Sequence, residues 1–213
     1  GLGWYGERGF PGVFRDTRPA WSDANLVSLC EQIKSSLFMA HVRSATAGEV
    51  ARANCHPFVV GQHLFMHNGQ VGGYQEIRRK IEALIPDELY PARCGTSDSE
   101  VLFLIAQGHA LHRDPAAAFA KTLAECCRIM RASNIRSALR FSAVLSDGED
   151  LYAFRWSSDD KMPSLYTLEL ETGIAISSEP FSFDSGPWRE VPPCSVVHVR
   201  GRRMTVSPFM PLP

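Results

Sequence analysis

The sequence has no dominant charge. Its 213 residues carry 22 Lys and Arg against 23 Asp and Glu, a formal net charge of −1. That balance excludes the basic field needed to hold nucleic acid or an anionic membrane surface. It also has no long hydrophobic run. Residues 101–106 and 142–145 are its longest apolar stretches, far short of the roughly 20 residues that span a bilayer. There is no collagen period, heptad run, internal repeat or low-complexity tract. The six cysteines, Cys30, Cys55, Cys94, Cys126, Cys127 and Cys194, include no C-x-x-C pair, so the zinc and redox spacings are missing. A chain of this length does not need disulfide staples, and reduced thiols in a cytoplasmic protein are expected. The opening GLGWYGERGF has neither the charge pattern nor the apolar core of a signal or transit peptide.

What is present is an ordinary globular composition, with 45% hydrophobic and 21% charged residues, which argues against wholesale disorder. The length fits one large domain. Short strand patterns occur at residues 2–5 and 12–14. A helix is predicted over 23–35, where Leu26, Leu29, Cys30 and Ile33 recur at helical spacing. Strand patterns follow at 37–43 and 63–67. Residues 74–84 read as a helix ending before Pro86. Another helix begins at Ser97, which with Glu100 forms an S-x-x-E capping box, and a third opens at Pro115. The last third alternates as strands do: Leu139, Phe141, Ala143 and Leu145 lead through Asp147–Gly148 into 151–156. Further strands are predicted at 165–170, 174–177, 196–199 and 204–206. Strands, then helices, then antiparallel strands indicate an α+β layered fold.

Several segments carry side chains suited to chemistry. In HVRSATAG, residues 41–48, Arg43 stands at the end of an apolar strand with Thr46 nearby. Its planar fork suits a carboxylate, but from the octapeptide alone a surface ion pair is the favoured reading. In FMHNGQ, residues 65–70, Asn68 and Gly69 read most simply as a tight turn. The functional alternative is an oxyanion hole built from the Asn amide and the Gly N–H. In GTSDSE, residues 95–100, Asp98 suits the helix dipole and also offers a carboxylate to a ligand ammonium. Cys55 and His56 are adjacent in NCHPF, residues 54–58. On an extended segment their side chains diverge, which argues against a nucleophile–base pair. His109 and His112 read as part-buried packing groups on the helix carrying Val101 and Ile105, and a metal claim on them is weak. Taken together, Arg43 for a carboxylate, Asp98 for an ammonium, and Asn68 with Gly69 for a developing oxyanion describe a site that cleaves a glutamine-like amide.

The order and spacing of HVRSATAG, NCHPF, FMHNGQVGGY and GTSDSE resemble the class II glutamine amidotransferases, a branch of the N-terminal nucleophile hydrolases. GLGWYG at residues 1–6 resembles the family's Gly–Trp segment, and SSEPF at 177–181 a late family segment. The resemblance implies a four-layer αββα sandwich with two stacked antiparallel sheets, spanning 1–213 as a single domain. It implies hydrolysis of a side-chain amide to glutamate and ammonia. In that reading Arg43 binds the substrate carboxylate with Thr46 nearby, Asn68 and Gly69 form the oxyanion hole, and Asp98 holds the α-ammonium.

The family nucleophile is a Cys at the mature N-terminus, activated by its own α-amine or a neighbouring water. Since the sequence opens on Gly1, that Cys and its strand are expected upstream. The alternative is a non-catalytic relative that binds an amino acid as a partner or sensor subunit. Ser44 and Ala47 stand where sugar-synthase members such as glucosamine-6-phosphate synthase carry Trp and His. The likeness is therefore to the small stand-alone branch, which includes γ-glutamyl hydrolases of ergothioneine synthesis and glutathione breakdown. The expected partner is a small molecule, glutamine or a γ-glutamyl compound, with no nucleic acid and no membrane. A second copy or an acceptor domain is the macromolecular partner the resemblance allows. No metal and no cofactor is expected.

Overall fold

The computed structural model describes residues 1–42, 50–181 and 186–211. The chain opens with β1 (Leu2–Trp4) and β2 (Gly12–Phe14), followed by α1 (Ala24–Gln32) and β3 (Phe38–Ala40). Next come β4 (Phe58–Val60) and β5 (His63–Gln70), then the helices α2 (Tyr74–Glu82), α3 (Asp98–Gly108) and α4 (Pro115–Ala132). The final third is β6 (Arg140–Ser146), β7 (Asp150–Ser157), β8 (Tyr166–Leu170), β9 (Gly173–Ser177), β10 (Arg189–Glu190), β11 (Ser195–Arg200) and β12 (Arg203–Pro208).

The largest sheet has the order β12-β11-β7-β6-β5-β4, and every pairing in it is antiparallel. Two smaller antiparallel sheets have the orders β2-β1-β3 and β10-β8-β9. Side-chain alternation assigns the faces. Leu139, Phe141, Ala143 and Leu145 all enter one core with Phe65, Phe154 and Val196, and that core is closed by α2, α3 and α4. Phe65 stacks against Phe103 of α3 at 5.0 Å and Phe119 of α4 at 5.2 Å. Fully burying each such ring contributes about 1.5–3 kcal/mol.

Residues of opposite parity face the smaller sheets. Ala153 and Val197 form a second core with Leu165 and Val191, with Val144 and Ile176 packed against it. At the other end, Gly3 of β1 lies so close to Leu64 and Pro57 that a side chain there would overlap them. The buried guanidinium of Arg155 ties these layers together. It donates to the carbonyls of Pro163, at 2.7 Å, and Val191, and pairs with Glu190 at 2.7 Å. The helices α2, α3 and α4 thus cover one face of the large sheet, and the smaller sheets lie against the other.

Helix ends follow local capping. Asp23 caps α1, accepting from the N–H groups of Asn25 and Leu26 at 3.0 and 3.2 Å. The helix stops at Gln32, before the predicted 35. Of its predicted apolar face, Leu26, Leu29 and Ile33 are half-buried, while Cys30 is exposed.

Candidate active site

The site is built where β5 outruns its neighbour. β4 pairs with residues 63–65 of β5, whereas β6 pairs with residues 64–70. The last part of β5 is therefore laddered on one edge only. Asn68 and Gly69 lie there, exposed, opposite Ser142 and Phe141 of β6. They are strand residues, not the tight turn that the dipeptide alone suggests. Strand alternation places the Asn68 side chain on the face opposite His67. Gly69 shares the His67 face, and a Cβ there would overlap both the Arg140 carbonyl oxygen and Nε2 of His67. Glycine is required at 69 by this close approach.

Asp98 opens α3 and meets the end of β5. Its Oδ2 accepts from the backbone N–H of Val71 at 2.7 Å, and its Oδ1 accepts from Ser99 N–H at 2.8 Å. Oδ2 keeps a further lone-pair site for a ligand donor, while Oδ1 also lies 3.4 Å from the Ser99 hydroxyl. The predicted capping box is only half formed. Ser97 Oγ accepts from Ser99 N–H at 3.1 Å, but Glu100 turns away from Ser97. The Glu100 carboxylate is buried and accepts from the N–H groups of Cys94 at 3.0 Å and Gly95 at 2.7 Å. It therefore shapes the loop before the helix. Asn54 grips the same loop from the NCHPF segment. Its Oδ1 accepts from Thr96 N–H at 2.7 Å and its Nδ2 donates to Thr96 Oγ1 at 3.0 Å. Gly95 fits between, where a Cβ would press on Asn54 and the Ala53 carbonyl.

His67 joins these parts from beneath. Its Nδ1 is 2.9 Å from Ser99 Oγ and its Nε2 is 3.1 Å from the Arg140 carbonyl oxygen. The ring is buried against Phe141, at 5.2 Å, and Phe65. Burial holds its pKa below the ordinary imidazole value, against an opposing pull from the Asp98 carboxylate.

The family model for class II glutamine amidotransferases matches residues 1–169. The chain belongs to the class II glutamine amidotransferases. Its four-layer fold is that of the N-terminal nucleophile hydrolases. The solved structure of a glutamine aminotransferase class-II domain protein from Silicibacter pomeroyi is 39% identical, with a TM-score of 0.91, over 100% of this chain and 92% of that one. A probable glutamine amidotransferase, DUG3 of Saccharomyces cerevisiae, is 28% identical over 94% of this chain and 67% of its own length. The gamma-glutamyl-hercynylcysteine sulfoxide hydrolase of Mycolicibacterium smegmatis is 27% identical over 98% of this chain and 80% of its own.

In this class II amidotransferase, Asn68, Gly69 and Asp98 come together at one strand–helix corner. Arg43 and Thr46 lie outside the described residues. Cys55 and His56 do not pair. Cys55 Sγ faces the Asp16 carbonyl at 3.4 Å, while the His56 ring packs on His41 at 4.2 Å and Phe58 at 4.7 Å. The expectation for His109 and His112 needs correcting, because α3 ends at Gly108, before either. His109 Nε2 bonds Glu125 at 2.9 Å, and His112 is exposed. Among the described residues no group of three or more His, Cys, Asp or Glu could hold a metal, and no helix is long and apolar enough to cross a membrane. His67, Asn54 and the loop-shaping role of Glu100 were missed from sequence. The available signal was their position inside the same four motifs.

Proposed function

We propose that the protein is an amidohydrolase cleaving the side-chain amide of glutamine or of a γ-glutamyl compound, through a thioester on an N-terminal Cys upstream of Gly1. The observation that carries this is the bond from Val71 N–H to Asp98. It brings a carboxylate suited to an α-ammonium to the end of the strand bearing the Asn–Gly pair.

Edge geometry supports the oxyanion role. Leu64 N–H bonds the Tyr5 hydroxyl, which itself donates to the Ser146 carbonyl, so Leu64 faces β6. Val71 N–H faces Asp98 instead. On an extended strand, alternate N–H groups point to opposite edges, so Gly69 N–H shares the Val71 edge and is free of the β6 ladder. Asn68 is exposed beside it.

In this reading Asp98 receives the α-ammonium, and Arg43, with Thr46 nearby, the α-carboxylate. The thiolate attacks the amide carbon, and the carbonyl π electrons move to oxygen, where Asn68 Nδ2–H and Gly69 N–H donate to the oxyanion. Collapse expels the amine, which takes the proton supplied through the cysteine's α-amine. Water then adds to the thioester and releases glutamate and the free thiol. The residues present require no metal or cofactor for this sequence. The γ-glutamyl hydrolase among the relatives supports including γ-glutamyl amides beside glutamine. A cytoplasmic setting with reduced thiols belongs to the same proposal.

The test is glutamate release by the full natural chain, assayed on glutamine and a panel of γ-glutamyl amides. Turnover of at least one supports the proposal. Binding of these compounds without release of glutamate would favour a sensor or partner subunit, and neither binding nor release would reject the site.

A further inference from the structure

We propose that His67 is a positioning residue for this reaction, its ring held as the Nε2–H tautomer between the Arg140 carbonyl and the Ser99 hydroxyl so that Asn68–Gly69 and Asp98 keep a fixed separation. The inference deepens the proposed function and rests on it.

The tautomer follows from the partners. A carbonyl oxygen can only accept, so the nitrogen 3.1 Å from the Arg140 carbonyl, Nε2, carries a proton. The ring is buried against the Phe65 and Phe141 side chains, an environment that disfavours an imidazolium. Nδ1 is then bare and accepts the Ser99 hydroxyl proton across 2.9 Å.

Each bond reaches a different half of the site. The Nε2 bond fixes β5 against β6 directly beneath Gly69, whose missing side chain leaves the space the ring fills. The Nδ1 bond reaches Ser99, adjacent to Asp98 in the first turn of α3. Asn68 and Asp98 are 30 positions apart in the chain, and His67 belongs to the strand of one and bonds the helix of the other. A group of this kind governs placement of reacting atoms without touching them.

The two bonds separate experimentally. His67→Asn keeps an acceptor near the Nδ1 position but cannot reach Arg140. It should lower kcat by about 10- to 100-fold while KM changes little. Ser99→Ala removes the donor to Nδ1 and should raise KM more than it lowers kcat. His67→Gln restores an N–H near the Nε2 position and should recover kcat relative to His67→Asn. Equal losses in kcat and KM across the three variants, or no rescue by Gln, would overturn the inference. If His67→Asn does not fold, the Gln and Ser99 variants still carry the split.

Nitrogen-15 spectra of the wild-type histidines at pH 7 give a readout independent of turnover. A protonated Nε2 with bare Nδ1 is expected, and the Nδ1–H tautomer or an imidazolium would overturn the inference. Absence of wild-type turnover rejects the proposed function, and the ring spectrum then decides the arrangement by itself.

Discussion

Asp98 Oδ2 accepts a hydrogen bond from the backbone N–H of Val71 at 2.7 Å, joining the first turn of α3 to the end of β5. The carboxylate thus has a structural task and, in the proposed function, a ligand-binding one. Two substitutions separate them. Asp98→Asn retains an acceptor for Val71 and should leave thermal stability nearly unchanged while raising KM for a zwitterionic substrate steeply. Asp98→Ala loses the acceptor as well and should destabilise the fold by about 1–2 kcal/mol. Denaturant melts read beside kinetics check both. An unchanged KM in both variants would leave Asp98 as a capping residue only.

Asn68→Ala should leave the melting temperature unaltered, because the side chain is exposed. If Asn68 donates to the oxyanion, kcat should fall by about 10²- to 10³-fold with little change in KM. Steady-state kinetics on the best substrate decide it, and wild-type kcat would remove Asn68 from the oxyanion hole.

Gly69→Ala should damage both stability and turnover. The added methyl overlaps the Arg140 carbonyl and the His67 ring, and overpacking of this kind costs about 1–3 kcal/mol. Since Arg140 contributes backbone there, also shortening His67 to Ala should not restore stability. A double variant melting like wild type would contradict the packing described.

The buried Asn54 side chain holds Thr96 through both its backbone N–H and its hydroxyl. Asn54→Ala should cost about 1–3 kcal/mol by leaving Thr96 N–H without its partner. Because that loop leads into Asp98, KM should rise as well. Chemical denaturation and a substrate titration test the two halves separately.

Stability should also depend on pH through His67. Burial lowers its folded pKa, so on acidification the unfolded chain takes up this proton first. The contribution is complete above the unfolded value of about 6.5 and is lost as pH falls from there towards the folded pKa, by at most about 1.4 kcal/mol per pH unit. His63 titrates in the same direction, also because of burial. The difference between wild type and His67→Gln therefore isolates His67. Parallel curves for the two proteins would count against a buried neutral ring.

Much of this was legible in the sequence because local signals and global fold agree. The alternation at Leu139, Phe141, Ala143 and Leu145 is read correctly as a strand, and all four residues enter the main core. Asp147–Gly148 marks the β6–β7 hairpin, and Pro115 opens α4. Asn68–Gly69 was harder. Asn and Gly favour turns locally, but β6 supplies strand partners distant in sequence, and pairing overrides propensity. β10, two residues long, has too few positions to show a period. Glu100 fits a capping box by spacing. Spacing alone does not reveal that the N–H groups of Cys94 and Gly95 compete for the same carboxylate. His67 was overlooked for a similar reason, since its partners lie on α3 and β6.

The central claim is that Asn68, Gly69 and Asp98 surround one amino acid. The most direct measurement is a crystal structure of the full natural chain with L-glutamate, the expected product. The α-ammonium should lie within about 3 Å of the Asp98 carboxylate, with one γ-carboxylate oxygen at a similar distance from Asn68 Nδ2 and Gly69 N. Glutamate bound in another cavity, or held at this corner with its γ-carboxylate turned away from Asn68 and Gly69, would contradict it.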